Sequence, residues 1–326
     1  MLHASAWRKA VGTLRFIAFS WAIGYGRRAD LAPCVAIRHP GQVPQSGTRA
    51  GIQKKCDSIG LLLDSGSRPA RRGSSGMTGL AKGGFYMLEI NDLWVDVNGE
   101  QVLKGVNLTI PSGETHILFG KNGSGKSSLL MTIMGFRRYK VQQGRLSFKG
   151  QDITTMTIDQ RAKMGIGLAF QRPPSIRGVK TRDVFNICNS NSVSCVELAG
   201  KFEFSGLMER ELNVGFSGGE MKKSELLQLL LQDPELVMLD EPESGVDLEN
   251  LEILGKAINK LLQKYLWRTR AKSGLVISHL GFILNYIEAD TGYVLMDGSI
   301  HCRGNPRELF KGIQRHGYRE CIQCQR

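Results

Sequence analysis

Short apolar runs bounded by glycine-rich or polar turns divide residues 87–326 into strand and helix patterns. Leu88 to Val97 and Val102 to Ile110 flank Asn98-Gly99, a dipeptide typical of hairpin turns, and they predict two antiparallel strands. Later apolar runs predict buried strands of an α/β core, because they alternate with helical patterns. These strands are predicted at 114–119, 144–149, 165–170, 236–241 and 274–278, with a final hairpin at 292–303.

Four segments have the apolar spacing of helices. Lys126 to Met134 and Glu220 to Leu231 each follow a glycine-rich stretch, and Leu248 to Trp267 predicts a longer helix. Thr181 to Leu212 has helical spacing without a strong strand pattern, and it follows Pro173-Pro174. We interpret residues 172–232, approximately, as a small helical subdomain inserted into the α/β core.

A glycine-rich loop connects the strand at 114–119 to the helix at Lys126, and it fits the pattern G-x-x-x-x-G-K-S. Backbone N–H groups and the positive end of the helix dipole face an anion at such a helix start. We expect Lys126 to contact the β and γ phosphates of a nucleotide and Ser127 to bind Mg²⁺. An ordinary glycine-rich turn is the alternative. The predicted phosphate loop consists of Gly120, Lys121, Asn122, Gly123, Ser124, Gly125, Lys126, Ser127 and Ser128.

Polar residues end three later strand patterns. Asp240 and Glu241 end the strand predicted at 236–241, where we expect Asp240 to bind Mg²⁺ and Glu241 to orient or deprotonate the attacking water. Gln171 is predicted to reach the γ-phosphate through Mg²⁺ or water, and His279 as a hydrogen-bond donor. A solvated strand end and a structural histidine are the alternatives.

A second glycine-rich stretch, Ser217-Gly218-Gly219-Glu220, precedes the helix pattern that ends at Leu231. It offers another helix N-terminus that could bind the γ-phosphate of an already bound nucleotide. Ser217 and Glu220 also fit a capping box, and the two interpretations are compatible.

The order of these motifs resembles that of the ATP-binding-cassette (ABC) ATPases over residues 87–326. The resemblance implies a P-loop core of a mixed sheet with helices, ATP and Mg²⁺ as ligands, and an ATP-dependent homodimer. In that dimer the signature of one copy closes over the ATP held by the other copy. By this resemblance Gly120 to Ser127 is the Walker A loop, Gln171 the Q-loop, Phe216 to Glu220 the signature, Asp240 with Glu241 the Walker B pair, Ser244 to Asp247 the D-loop and His279 the switch histidine.

Residues around the signature give a narrower resemblance, to the SufC-type ATPases of SUF iron–sulfur cluster assembly. Val214 to Glu220, followed by Lys222 and Lys223, carries this resemblance. Ala169 to Pro174 and the C-terminal Gly317-Tyr318 are similar to the archaeal branch. The resemblance implies that ATP-driven dimerisation remodels a SufB/SufD-like scaffold protein.

Two alternatives to this function stay open. The first is the ATP-binding subunit of an ABC transporter. With Pro242, the segment Asp240 to Glu243 resembles the transporter ATPases as closely as it resembles bacterial SufC-type proteins. Such a subunit would need a separate membrane protein, since no stretch reaches the roughly 18–20 apolar residues of a membrane helix and we expect no direct membrane insertion. The second is an ATP-gated dimerisation switch without a need for hydrolysis, for which Glu241→Gln would leave partner function intact while trapping the dimer.

Positive charge is concentrated at the start of the chain. The whole chain of 326 residues has 43 Lys and Arg against 30 Asp and Glu, a net charge of +13. Residues 1–86 hold 13 of these basic residues and three acids, a balance of +10, so residues 87–326 carry only 30 − 27 = +3. The charge of the ATPase region therefore predicts no nucleic-acid partner.

Residues 1–86 are rich in arginine and poor in acids and hydrophobic periodicity. Four interpretations stay open: a disordered arm, an organelle transit peptide, a signal-like segment at Phe16 to Gly24 that is too short to span a bilayer, and a start codon assigned too far upstream of Met87. We expect a cytoplasmic location, or an organellar matrix if the segment is a transit peptide. Peptides from residues 1–80 in the mature protein would exclude the upstream-start interpretation.

An odd number of cysteines predicts thiols in a reducing compartment, not disulfides. Cys321-x-x-Cys324 could ligate Zn²⁺ or a cluster iron, with four thiolates in a dimer, although a tail with incidental thiols is the alternative. The seven cysteines are Cys34, Cys56, Cys188, Cys195, Cys302, Cys321 and Cys324.

Overall fold

The structure is a computed structural model that describes residues 86–190, 192–266, 271–279 and 281–318. The interpretations of the N-terminal extension and of the pair Cys321 and Cys324 therefore lie outside the described residues and stay predictions.

Two β-sheets form the framework of the described chain. A four-stranded antiparallel sheet has the order β2-β1-β4-β5, and a six-stranded sheet has the order β10-β9-β3-β8-β7-β6. In the larger sheet β9, β3, β8, β7 and β6 are parallel, and only β10 is antiparallel to its neighbour. The strands are β1 (Tyr86–Val97), β2 (Glu100–Pro111), β3 (Thr115–Phe119), β4 (Tyr139–Phe148), β5 (Gln151–Asp152), β6 (Ile166–Ala169), β7 (Leu236–Asp240), β8 (Ser273–Ile277), β9 (Thr291–Met296) and β10 (Ser299–Gly304).

Helices cover both faces of the six-stranded sheet. The bounds of the helices are α1 (Lys126–Met134), α2 (Ile158–Lys163), α3 (Thr181–Cys188), α4 (Cys195–Lys201), α5 (Gly218–Gln232), α6 (Leu248–Leu261) and α7 (Pro306–His316). Two 3₁₀ turns span Ser205–Leu207 and Phe282–Asn285.

Alternation along the central strands divides the core into two clusters. Ile117 and Phe119 of β3 pack on the side of α5 and α6, whereas Leu118 packs on the side of α1 and the four-stranded sheet. Val237 and Met238 of β7 divide in the same way. Because successive strand residues face opposite sides, a continuous apolar run fills both clusters. The predicted α/β core with an N-terminal antiparallel part is confirmed.

The helical predictions were accurate at some ends and wrong at others. Helix α1 has the predicted bounds, since Gly125 and Gly135 flank it in left-handed conformations. Helix α6 ends at Leu261, before the predicted Trp267, because the chain leaves helical geometry at Gln263 with φ 52°. The segment predicted at Thr181 to Leu212 forms two short helices and a 3₁₀ turn. Its apolar spacing does not mark burial throughout, since Val196 is 74% exposed.

The sheet order determines where the functional residues lie. Strands β3, β7, β8 and β6 are parallel, so their carboxyl ends meet at one edge of the sheet. The phosphate loop follows β3, Asp240 ends β7, and Gln171 and His279 lie just beyond β6 and β8. Residues predicted from separate strand ends therefore converge.

Candidate functional site

The loop after β3 leads into α1 with a helix start that no side chain caps. Gly125 is the N-cap residue, with φ 104°, and the first turn of α1 has no acidic residue. The Lys126 Nζ donates to the carbonyl oxygens of Gly120 (2.7 Å) and Lys121 (2.9 Å), so the ammonium is held inside its own loop. Burial lowers the pKa of Lys126, against the opposing effect of Glu241 and Asp240. The uncapped N–H groups and the ammonium form an anion site.

Glycines are required where this loop meets the last hairpin. A Cβ on Gly120 would lie 2.4 Å from the Leu295 carbonyl oxygen and 2.6 Å from the Ser124 hydroxyl. The Gly298 N–H donates to the Ser124 carbonyl oxygen at 3.1 Å, which fixes the turn between β9 and β10 against the loop. Gly120 therefore permits a backbone approach to the last hairpin that a side chain would block.

Asp240 and Ser127 meet beside this loop. Asp240 is buried, its Oδ1 lacks a hydrogen-bond partner, and Ser127 bonds the same carboxyl group. Burial raises the pKa of Asp240, and the bond from Ser127 opposes this shift. An unpartnered buried oxygen next to a hydroxyl is a suitable pair of ligands for a hard cation such as Mg²⁺.

Glu241 is held by its neighbour across the sheet edge. The Gln171 Nε2 donates to the Glu241 Oε2 at 2.5 Å, although 70 residues separate them in the chain. The Glu241 backbone has φ 46°, a conformation that non-glycine residues adopt rarely, and its N–H donates to the Ile277 carbonyl oxygen. Strained backbone of this kind is common at functional sites, because the surrounding structure must maintain it.

A cavity of about 490 Å³ opens over the loop and brings part of the phosphate loop together with Gln171 and Glu241. The rim of this cavity on β2 and the last hairpin was not predicted from the sequence, although the hairpin itself was predicted at 292–303. No aromatic residue lines the cavity in the described part of the chain. The lining residues are Gln101, Val102, Lys104, Asn122, Gly123, Gly125, Lys126, Ser127, Ser128, Gln171, Glu241, Asp297 and Gly298.

His279 lies in an adjoining cavity of about 460 Å³, which it shares with Gln171 and Glu241. Its Nδ1 is buried without a hydrogen-bond partner. The preceding Ser278 donates to Glu243 and accepts from the Gly281 N–H at 2.8 Å. Sequence inspection did not single out Glu243, which is buried and whose pKa burial raises. The Ser278 hydroxyl, which is held by Glu243, thus links the chain on both sides of His279.

The signature motif lies apart from the residues that line the 490 Å³ cavity. The Ser217 hydroxyl accepts from the Glu220 N–H (3.3 Å), and the Glu220 carboxylate accepts from the Ser217 N–H (2.7 Å), so the predicted capping box is present. A Cβ on Gly218 would lie 2.2 Å from the Gly245 carbonyl oxygen. The signature is therefore packed against its own D-loop segment and does not complete the cavity of the same chain.

The donor set fits a magnesium nucleotide. The cavity presents uncapped helix N–H groups and the Lys126 ammonium, and the unpartnered carboxylate oxygen of Asp240 lies beside Ser127 of the cavity wall; these are the groups that phosphate and Mg²⁺ require. Elsewhere in the described residues, no cluster of three or more His, Cys, Asp or Glu side chains could hold a metal ion.

The buried Cys188 and Cys195 form no disulfide, and burial raises the pKa of Cys188 to about 12.

Comparison with known proteins agrees with this geometry. The ABC transporter family model matches residues 103–244. Vegetative protein 296 of Bacillus subtilis is 36% identical over 245 residues, which cover 71% of this chain and 91% of that protein. A nucleotide-free ATP-binding cassette from an ABC transporter has 25% sequence identity and a TM-score of 0.59, covering 70% of this chain and 95% of its own. The chain belongs to the ABC ATPases, and it binds and hydrolyses ATP.

A second relative indicates the SufC-type group within the ABC ATPases. The "Probable ATP-dependent transporter SufC" of Escherichia coli is 36% identical over 248 residues, which cover 71% of this chain and 97% of that protein. The SufC-type resemblance inferred from the signature region is thereby confirmed, and the likeness to an archaeal branch stays a prediction. Within the described residues, no helix combines the length and the hydrophobicity needed to cross a membrane.

Proposed function

We propose that this protein is the ATP-hydrolysing subunit of an iron–sulfur cluster assembly complex, in which ATP-driven pairing of two copies remodels a SufB/SufD-like scaffold. The observation that carries this proposal is the similarity to SufC over 97% of that relative's length. On this proposal the protein works in the cytoplasm. An organellar matrix is the alternative location if residues 1–86 are a transit peptide.

The residues at the loop bind the nucleotide. The free N–H groups at the start of α1 and the Lys126 ammonium would hold the β and γ phosphates. Ser127 and Asp240, with Gln171, would hold Mg²⁺. The bound ion would neutralise negative charge on the phosphates. Since Lys126 now bonds two carbonyl oxygens of its own loop, it needs no large movement to meet a phosphate beside them.

Glu241 is the residue that acts on water. Its carboxylate borders the cavity and is held by the Gln171 amide, so it can accept a proton from, or orient, a water facing the γ-phosphate. His279, in the adjoining cavity with Glu241, would donate a hydrogen bond to the γ-phosphate. Ser278 and Glu243 hold the backbone on which His279 depends.

The second half of the site comes from another copy. The signature does not line the cavity of its own chain, yet its Ser217, Gly218 and Gly219 begin a helix that can face an anion. Two copies related by a two-fold axis would enclose each nucleotide between α1 of one and α5 of the other. Such an isologous dimer contains two identical composite sites.

Co-purification of the tagged full chain from its native host tests the partner. We expect a SufB/SufD-like protein to co-purify with the wild type and to be retained by Glu241→Gln with ATP. Recovery of an integral membrane protein without such a scaffold would instead support a transporter subunit, a function that the ABC transporter family match also permits. Equal rescue of cluster assembly in vivo by wild type and Glu241→Gln would support the dimerisation switch.

A further inference from the structure

Two buried side chains of α5 hold the backbone that immediately precedes Gln171. The Glu225 Oε2 accepts from the Phe170 N–H at 2.8 Å, and the Lys222 Nζ donates to the Phe170 carbonyl oxygen at 2.8 Å. Lys222 also lies 3.4 Å from the Asp240 carbonyl oxygen. One pair of side chains thus contacts the chain next to Gln171 and next to Glu241.

Phe170 needs these partners because of its place in the sheet. Strand β6 is at the edge of the six-stranded sheet and ends at Ala169, so no further strand is available for the polar groups of Phe170. Buried backbone N–H and C=O groups require hydrogen-bond partners. The side chain of Phe170 is itself buried against Phe136. Helix α5 therefore supplies the partners that a strand would otherwise provide.

The two side chains are specialised for this contact. Lys222 is 5% exposed and Glu225 9% exposed, whereas Lys and Glu are seldom buried unless they are paired. Burial raises the pKa of Glu225 and lowers the pKa of Lys222, because the interior disfavours the charged form of each group. Their spacing of three residues brings them to one face of α5, within about two turns of its start at the signature.

We propose that Glu225, together with Lys222, is a positioning residue for Gln171, and that the pair transmits movement of the signature helix to the Gln171 side chain by fixing the backbone of Phe170. Closure of a second copy on the signature would then change the position of the Gln171 amide that holds Glu241. The proposal rests on the role proposed above for Gln171 and requires no scaffold partner.

Steady-state ATP hydrolysis by the full chain, with Mg·ATP titrated, tests this role. Glu225→Leu removes the acceptor, and we expect kcat to fall about tenfold with the ATP KM within about twofold, since the loop at α1 is untouched. Glu225→Gln retains an oxygen at the same length and is expected to restore most of kcat. Lys222→Met serves as the second variant if Glu225→Leu does not fold, with the same expected separation of kcat from KM.

Gln228→Leu is the matched control, because Gln228 is a buried polar residue of the same helix whose amide donates to Ser224. We expect it to lower the melting temperature without the fall in kcat. Equal losses of kcat in Gln228→Leu and Glu225→Leu, or an unchanged kcat in Glu225→Leu, would overturn the proposal.

Gln171→Ala separates this proposal from the role of Gln171 itself. A fall in kcat for Gln171→Ala but not for Glu225→Leu leaves the role of Gln171 intact and rejects the positioning role. A fall for Glu225→Leu but not for Gln171→Ala rejects it as well, since the effect then does not pass through Gln171.

Discussion

The two glycine-rich helix starts of this molecule differ in how their backbone N–H groups are satisfied. Helix α1 begins after Gly125 with no side-chain cap and no acidic residue in its first turn. Helix α5 begins after Ser217 with a complete capping box, in which Glu220 provides both the third helical N–H group and a carboxylate. A helix start without internal partners needs a ligand, whereas a capped start is stable without one.

Because of this difference, the two helix starts have different roles: the start of α1 can bind the nucleotide, and the start of α5 can complete the site of another copy. The start of α1 opens into the 490 Å³ cavity with Lys126 and Ser127, so the nucleotide can be held there by one chain. The start of α5 is exposed at Ser217, is not part of that cavity and packs on Gly245 of its own chain. A capped helix retains its dipole and some free N–H groups, so it can still receive an anion presented by another copy.

The largest effect is expected from Glu241→Gln, which leaves both helix starts intact and removes the proton acceptor. We expect kcat to fall by about 10²–10⁴ with ATP affinity unchanged, because general-base contributions have this size. Single-turnover hydrolysis and equilibrium nucleotide binding measure the two quantities. The exposed Glu249→Gln in α6 is the control, and a wild-type kcat in Glu241→Gln would exclude Glu241 as the base.

Lys126→Ala removes the charge at the α1 start and should weaken ATP binding about 100-fold, the order of a lost charge-assisted contact. Lys121→Ala, in the same loop but exposed, should bind ATP as the wild type does. Fluorescent-nucleotide titration measures both affinities. Equal affinities for the two variants would contradict the assignment of the phosphate site to α1.

Gly218→Ala acts at the other helix start. The added Cβ would lie 2.2 Å from the Gly245 carbonyl oxygen, so the signature must shift relative to the D-loop segment. We expect ATP affinity within about twofold of wild type and kcat lower by about tenfold, because a small misplacement of a catalytic group has large kinetic effects. Gly206→Ala is the control, since a Cβ there meets no atom within 4 Å. A parallel loss of ATP affinity would show that both helix starts bind ATP within one chain.

The smallest of the four expected effects is the loss of stability in Ser217→Ala. Loss of the cap costs about 1 kcal/mol, or roughly 2–4 °C in melting temperature for a domain of this size. Asn305→Ala removes a similar cap, since the Asn305 side chain accepts from Arg307 and Glu308 at the start of α7. We expect similar melting temperatures for both variants but a lower kcat only for Ser217→Ala. Equal kcat values would restrict Ser217 to a structural role.

Local sequence signals predicted the parts of the fold that depend on local geometry. Glycines on both sides of α1 fixed its bounds, and Ser217 with Glu220 predicted a capping box that is present. Helix α6 was predicted too long, because no glycine or proline marks its end at Leu261 and only the left-handed turn at Gln263 stops it. Helix α7 was missed, although Asn305 and Pro306 are a typical helix start.

Contacts between distant segments could not be predicted. Gly298 reaches the phosphate loop from the last hairpin, and Glu225 reaches Phe170 across 55 residues. Neither contact has a periodic or compositional signal, because each depends on how the sheet is assembled. Lys222 was noted only as part of a family resemblance, and its burial became evident from the structure.

The central claim is that α1 of one copy and α5 of another form one site, and mixing two inactive variants tests it most directly. Glu241→Gln retains its signature, and Ser217→Arg retains its phosphate loop and Glu241. In a mixed dimer one of the two composite sites is intact, so an equal mixture is predicted to recover about a quarter of wild-type ATP hydrolysis. A mixture in which both variants bind ATP and form mixed dimers, yet hydrolysis stays at the sum of the separate variants, would contradict the claim.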